Sequence, residues 1–177
     1  MQKQSRRNFF AAMGTMAIAS TTPALLAEPR RHAAAAPSGD SHVHDGIFYF
    51  FGTGANDGYP SSDQVTVSDP FEKHVTRTME ALKKTLEGHG CTMDSILHLE
   101  VFVCLPLADG IPTPAGKARF DAHQAQYEAL NKIYHPYFSK GRAPSRACMA
   151  VEWIPGNSLI EIVGSALIVN TPEASAD

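Results

Sequence analysis

Pro144-Ser145-Arg146-Ala147-Cys148, the apolar run 149–154, the turn Pro155-Gly156-Asn157-Ser158 and the second run 159–169 form the stretch whose reading decides the fold. Two short apolar runs around a Pro/Gly/Asn turn predict two strands. A cation, Arg146, stands at the start of the first, and a lone acid, Glu161, sits between Ile160 and Ile162 in the second. An arginine can clamp a carboxylate through two parallel N–H donors, and a glutamate can handle a proton or a water. The plainer readings are a solvated arginine at a strand start and a glutamate on the wet face of an alternating strand. If 155–158 closes a simple hairpin, Trp153 faces Ile160 and Glu161 faces Glu152. Arg146 then lies roughly 20 Å further along its strand, at about 3.3 Å per residue. Either the two runs are not a simple hairpin, or a second subunit completes the site.

Working outward, 42–44 and 47–51 are aromatic and apolar runs around Asp45-Gly46, a hairpin signal. The glycine-dense segment Gly52-Thr53-Gly54-Ala55-Asn56-Asp57-Gly58 predicts a loop whose backbone can approach a ligand closely. Ser68-Asp69-Pro70 opens a helix with a cap and a first-turn proline. Phe71, Val75, Met79, Leu82 and Leu86 give that helix an apolar face, and Gly88 ends it. Residues 96–105 read as a strand, mostly buried from Val101 on. Residues 108–116, with Pro112 and Pro114, read as a loop. A second helix is expected over 117–138, with Phe120, Tyr127, Leu130, Ile133 and Tyr134 on its apolar side and Pro136 kinking or ending it. The order strand, strand, helix, strand, helix, strand, strand predicts an α+β fold with two helices covering one face of a mixed sheet. The other face would carry Ile, Val and aromatic side chains, and an uncovered apolar face predicts oligomerisation.

The chain has 177 residues, with 15 Lys and Arg against 18 Asp and Glu. Ser5-Arg6-Arg7-Asn8-Phe9-Phe10 followed by an uncharged, Ala-rich stretch to Ala27 reads as a twin-arginine export signal, too weakly hydrophobic for a membrane span. Cleavage is expected after Ala27 or within 33–36. Residues 28–40, rich in Ala, Pro and Arg, read as a disordered linker, 41–170 as one folded domain and 171–177 as a disordered tail. The expected location is the periplasm or the exterior, with no stable membrane association. Removing residues 1–27 takes away three basic groups and no acid, so the formal charge moves from −3 to −6. Such a domain is a poor nucleic-acid binder. Three cysteines, Cys91, Cys104 and Cys148, cannot all pair, and no CxxC occurs, which argues against a thiolate metal site.

Other chemistry is thinner. His42 and His44 share one face of an extended segment beside Asp45, but no third metal ligand is identifiable, and barrel hydrolases with His-x-His need a longer domain. Cys148 reads as a small buried apolar residue rather than a nucleophile. No Gly-x-Ser-x-Gly elbow occurs, and Gly52-Thr53-Gly54 lacks the Lys-Ser/Thr of a phosphate loop.

Asn131-x-x-Tyr134-x-x-Tyr137-Phe138, then Pro144-Ser145-Arg146-x-Cys148, then Leu159-Ile160-Glu161-Ile162 and Ala166, resembles the RidA (YjgF-type) family of enamine/imine deaminases. The segment from Gly46-Ile47-Phe48 to Thr53-Gly54 looks like that family's first sheet strand and its Ser-Gly loop, with Thr53 for the serine. The match covers about 40–169. It implies a chorismate-mutase-like α+β fold assembled as a homotrimer, with active sites in clefts between subunits. By the same similarity Arg146 would clamp the substrate carboxylate and Glu161 would orient or activate the attacking water. Backbone groups near Gly54 and Cys148, with Thr53, would line the pocket, and Asn131 would help shape it. The reaction implied is hydrolysis of a 2-imino or enamino acid to the 2-oxo acid and ammonia, with no metal or organic cofactor, since positioning and charge stabilisation suffice for so electrophilic a substrate. Departures are Asp40 where the family has an aromatic residue, Thr53, and an insertion around 110–126. Two other functions use the same fold: a non-catalytic binding protein for a small carboxylate metabolite, and a chaperone-like protein acting through exposed apolar surface.

Overall fold

Asp45 and Gly46 both take positive φ, 48° and 77°, the geometry that matches a two-residue turn to the right-handed twist of its strands. They join β1 (Ser41–His44) to β2 (Ile47–Gly54) as an antiparallel pair, as the Asp-Gly signal predicts. The computed structural model describes residues 41–169. The expected export signal, the linker with Asp40 and the C-terminal tail lie outside them.

After β2 come α1 (Phe71–Gly88), β3 (Ile96–Val103), α2 (Gly116–Tyr134), β4 (Ser145–Ala150) and β5 (Ile160–Leu167). The five strands form one sheet in the order β1-β2-β5-β3-β4. β5 runs antiparallel to both β2 and β3, whereas β4 is parallel to β3. A parallel neighbour requires a crossover, and α2 supplies it. The two C-terminal runs are therefore not a hairpin, because β3 lies between them. Arg146 stands near the start of β4, as expected, but the strand ends at Ala150 rather than running on to Ile154. Glu161 faces Gly54 and Phe102 rather than Glu152, whose carboxylate pairs with Arg119.

β2 does not stop at the glycines. Its register slips between Phe50 and Thr53, with Gly52 at φ 60°, and pairing resumes through Gly54. This is a bulge that glycine makes at little steric cost. β3 is mostly buried from Val101 on, as expected. Leu99, Val101 and Val103 are buried while Phe102 is half-exposed, the alternation of a strand with one covered face.

Phe48, Phe50, Leu99, Val101, Ile160 and Ile162 point to the covered face. They meet Val75, Met79, Leu82 and Leu86 of α1 and Leu130 and Tyr134 of α2. The expected cap at the start of α1 is not made. The Asp69 carboxylate turns back to the Thr66 amide and to Lys73 and titrates at about 2, chiefly because of the Lys73 bond. Pro136 ends α2 as expected, and the chain tightens into a short 3-10 turn. Only the second half of α2 joins the core. Phe120 and Tyr127, expected on the apolar side, are 67% and 47% exposed. Polar contacts hold the first half instead. Arg119 pairs with Glu152, and the Gln126 amide donates to the Cys104 carbonyl at 2.8 Å.

The uncovered face carries Ile47, Tyr49, Phe51, Phe102, Val163 and Leu167, and His42 stacks on Tyr49 there. His42 and His44 share this face, as their spacing predicts. Among the described residues no cluster of three or more potential metal ligands forms, and no helix is long and apolar enough to cross a membrane.

Candidate functional site

Arg146 sits on β4 in register with Leu99 of β3, so its side chain rises on the helix-covered face. α2 receives it. Tyr127, Asn131 and Tyr134 lie at i, i+4 and i+7 along that helix, one stripe of its surface. The guanidinium carbon stands 4.2 Å from the Tyr134 ring centroid and 5.6 Å from that of Tyr127. One terminal nitrogen donates to the Asn131 side-chain oxygen. The other, Nη1, is buried and has no partner among the described residues. The Tyr134 hydroxyl likewise makes no well-formed hydrogen bond; burial pushes its pKa up, and the neighbouring Arg146 guanidinium partly offsets that. A buried N–H without an acceptor forfeits roughly 1–3 kcal/mol. Groups of this kind mark places where a ligand or water belongs. Cys148, two residues on, faces the same side and packs against the core. Burial raises its thiol pKa, which makes it a poor thiolate nucleophile.

Glu161 occupies the other side of the sheet. Its neighbours Ile160 and Ile162 are fully buried under the helices, so Glu161 between them faces the uncovered side. It is opposite Gly54 on β2, beside the Gly52 bulge. A Cβ on Gly52 would stand 3.8 Å from the Glu161 carboxyl carbon, ordinary contact, so it is the positive φ of 60° rather than space that favours glycine beside the carboxyl. Partial burial raises the Glu161 pKa, and the nearby Asp57 carboxylate raises it further.

The turn after β2 is built to hold this end still. Asp57 accepts the Gly54 amide N–H at 2.8 Å. Asn56 accepts the Val65 amide and donates to the Val65 and Gly156 carbonyls. Ser158 Oγ takes the Ala55 N–H at 3.1 Å. Buried His74 accepts the Leu159 N–H through Nδ1, with its other nitrogen 3.0 Å from the Thr66 carbonyl. Thr53, in register with Ile162, is buried on the covered face, so only its backbone borders Glu161.

The residues singled out in the sequence thus fall into two groups. Arg146, Asn131 and Cys148 gather at β4 and α2. Glu161 and Gly54 gather at the β2 and β5 ends, on the opposite side. β3 separates the two strands by about 10 Å. Tyr134 stood in the Asn131-x-x-Tyr134 motif, but with no role attached to it. Tyr127 was visible only as a member of an apolar helix stripe, and Asp57 only as part of a glycine-rich loop. Neither of these two carried a motif that would have marked it.

No protein-family model matches the chain. Solved structures do. A Thermotoga maritima protein described as a candidate endoribonuclease is 23% identical over 75% of this chain and 87% of that one, with a TM-score of 0.56. A Yersinia pestis protein of unknown function, YyfA of the Rid family, is 22% identical over 76% and 90%, with a TM-score of 0.55. A Neisseria meningitidis member of the YjgF family is 14% identical over 75% and 87%, with a TM-score of 0.52. The structural neighbours are YjgF/RidA proteins, and the mixed five-stranded sheet with two helices is the chorismate-mutase-like α+β fold they share.

Proposed function

We propose that this chain is a RidA-like hydrolase of small 2-imino or enamino acids, releasing ammonia and the 2-oxo acid at sites shared between subunits. The observation that carries the reading is Arg146. A half-buried guanidinium, backed by Tyr134 and oriented by Asn131, keeps a buried N–H with no well-formed acceptor among the described residues beyond the neighbouring Tyr134 hydroxyl. A substrate carboxylate supplies that acceptor, and a charge-assisted bond of this kind is worth about 1.5–3 kcal/mol. Glu161 is the proton-handling group. Because it lies across the sheet from Arg146, the two reach one small substrate only when Arg146 of one copy meets Glu161 of another. The uncovered apolar face supports such assembly, and a homotrimer is the arrangement the family resemblance implies.

Ammonia release from freshly generated 2-iminopropanoate tests the reading. Arg146→Ala and Glu161→Gln are each expected to lose turnover while keeping the oligomer seen in gel filtration. Oligomers reassembled from equal amounts of the two variants are expected to regain about a quarter of wild-type activity, because that fraction of clefts pairs an intact Arg146 with an intact Glu161. No acceleration by the wild type over the uncatalysed rate would refute the reaction. No recovery in the mixture would refute the shared site.

A further inference from the structure

The turn that follows β2 brings a second carboxylate to the Glu161 end of the sheet. Asp57 is tied back onto Gly54 twice: its carboxylate takes the Gly54 N–H at 2.8 Å, and its own N–H reaches the Gly54 carbonyl at 3.3 Å. Gly54 is the cross-strand partner of Glu161. Asp57 is therefore fixed one turn away from Glu161, and the Asn56 and Ser158 bonds keep that turn from drifting. The two acids are treated differently. Asp57 accepts a backbone amide, whereas Glu161 makes no hydrogen bond or ion pair among the described residues. Other charged groups on this face are further along. Glu100 lies two residues from Phe102 on β3, paired loosely with His98. On β4, Ala147 and Met149 share the face and carry no charge. Burial first, and the Asp57 carboxylate held on the facing Gly54 second, both favour the neutral form of Glu161.

We propose that Asp57 is a positioning residue whose carboxylate, held on Gly54, adds to the partial burial of Glu161 in keeping that side chain protonated as it enters the reaction, so that it acts first as a general acid. The inference rests on the reading of Glu161 as the proton-handling group. Glu161 donates its proton to the imine nitrogen and becomes a carboxylate. Water then attacks the carbon, a C–O bond forms, and the water proton passes to Glu161. Glu161 next protonates the amino group of the carbinolamine. The C–N bond breaks as the hydroxyl proton returns to Glu161, leaving ketone, ammonia and the starting carboxylic acid. No oxidant or cofactor enters the balance. The subsite built by Gly52, Gly54, Asp57 and Glu161 thus suits a nitrogen base, while Arg146 suits the carboxylate at the other end of the same substrate.

Titration of the Glu161 side-chain carboxyl by carbon NMR, with the signal assigned by its loss in Glu161→Gln, tests this without turnover. Asp57→Asn keeps an acceptor for Gly54 and removes the charge. The Glu161 midpoint is expected to move down part of the way in Asp57→Asn, since burial remains, and to stay in place in Asp57→Glu. An unmoved midpoint in Asp57→Asn overturns the proposal. Should that variant fail to fold, Asp57→Ser removes the same charge and is read in the same way. With 2-iminopropanoate, kcat/KM of the wild type is expected to fall with rising pH on a limb that Asp57→Asn shifts to lower pH. A rate that instead rises with pH through the Glu161 midpoint also overturns it. Because the titration needs no turnover, a protein inactive on imines leaves the Asp57 result intact and refutes only the reaction.

Discussion

Gly164 offers the sharpest test of the sheet that carries both halves of the site. It stands in β5 between Phe50 of β2 and Leu99 of β3, all three facing the core. A Cβ added there would lie 2.3 Å from the His98 carbonyl oxygen and 2.9 Å from both the Leu99 and the Phe50 side chains. Ordinary contact begins near 3.4 Å, so β3 would have to retreat by about 1 Å. Such a retreat stretches one or two inter-strand hydrogen bonds beyond useful length, at about 1 kcal/mol each. Displacing Phe50 and Leu99 adds an overpacking cost of about 1–3 kcal/mol. The stiffer unfolded chain gives back roughly 0.4–1 kcal/mol. Gly164→Ala is therefore expected to destabilise the domain by about 2–3 kcal/mol, which lowers Tm by roughly 5–15 °C for a domain of this size. Urea unfolding followed by far-ultraviolet circular dichroism measures it, at one fixed protein concentration because assembly contributes to apparent stability. Gly88, the last residue of α1, has open space around its Cβ position and no positive φ, so Gly88→Ala serves as a control. It is expected to be neutral or to stabilise by up to about 1 kcal/mol. A Gly164→Ala variant within about 0.5 kcal/mol of wild type would refute the close approach of β5 to β3.

Other outcomes follow from the site and its supports. Arg146→Ala is expected to lower kcat/KM on imino acids roughly 10- to 100-fold, the equivalent of one charge-assisted bond, and an unchanged value would remove the clamp. Glu161 has a raised pKa, so the native state holds its proton more tightly than the unfolded chain and stability falls as pH rises through that window. Glu161→Gln should therefore match wild-type stability in acid and equal or exceed it at neutral pH while losing turnover; a variant less stable at neutral pH than in acid, relative to wild type, would contradict this. His74 is buried with a lowered pKa, so the unfolded chain binds the extra proton and stability should decline as pH falls below the usual histidine range. In His74→Ala, unfolding curves at pH 7 and pH 5 should lose that difference, and the variant should be weaker by about 1–3 kcal/mol for the orphaned Leu159 amide. Replacing Arg6 and Arg7 together by lysine should retain the protein in the cytoplasm when cell fractions are compared, and unchanged export would remove the twin-arginine reading.

Much of the fold was readable because local rules decide it. Asp45-Gly46 sets a hairpin, Pro136 ends α2, and the spacing from Val75 to Leu86 finds the core face of α1; α1 stops at Gly88 as read, but it is Gly90, at φ 72°, that turns the chain, with the Gly90 and Cys91 amides closing on the Glu87 and Leu86 carbonyls. What local rules cannot decide is which strand a segment joins. The runs before and after Pro155 are close in sequence, yet β4 turns to β3 because α2 carries the chain back over the same face. Periodicity likewise marks Phe120 and Tyr127 as members of an apolar stripe but does not say where the covering sheet ends. In the site, Arg146, Asn131 and Glu161 stood in recognisable motifs. Asp57 did not, because its position depends on a turn closed by Gly54 and on a cross-strand register.

The strand order has a consequence for how the molecule moves. β4 is a rim strand, bonded on one side to β3, whereas β5 is flanked on both sides. Rim strands open at lower free energy than central ones, so amides of 145–150 should exchange with solvent faster than those of 160–167. Arg146 lies on the rim strand, and Glu161 on the one flanked on both sides. Engagement of a carboxylate should therefore appear as slowed exchange along β4 with little change along β5. Variation in the clamp can accumulate at the margin of this sheet without disturbing the acid at its centre.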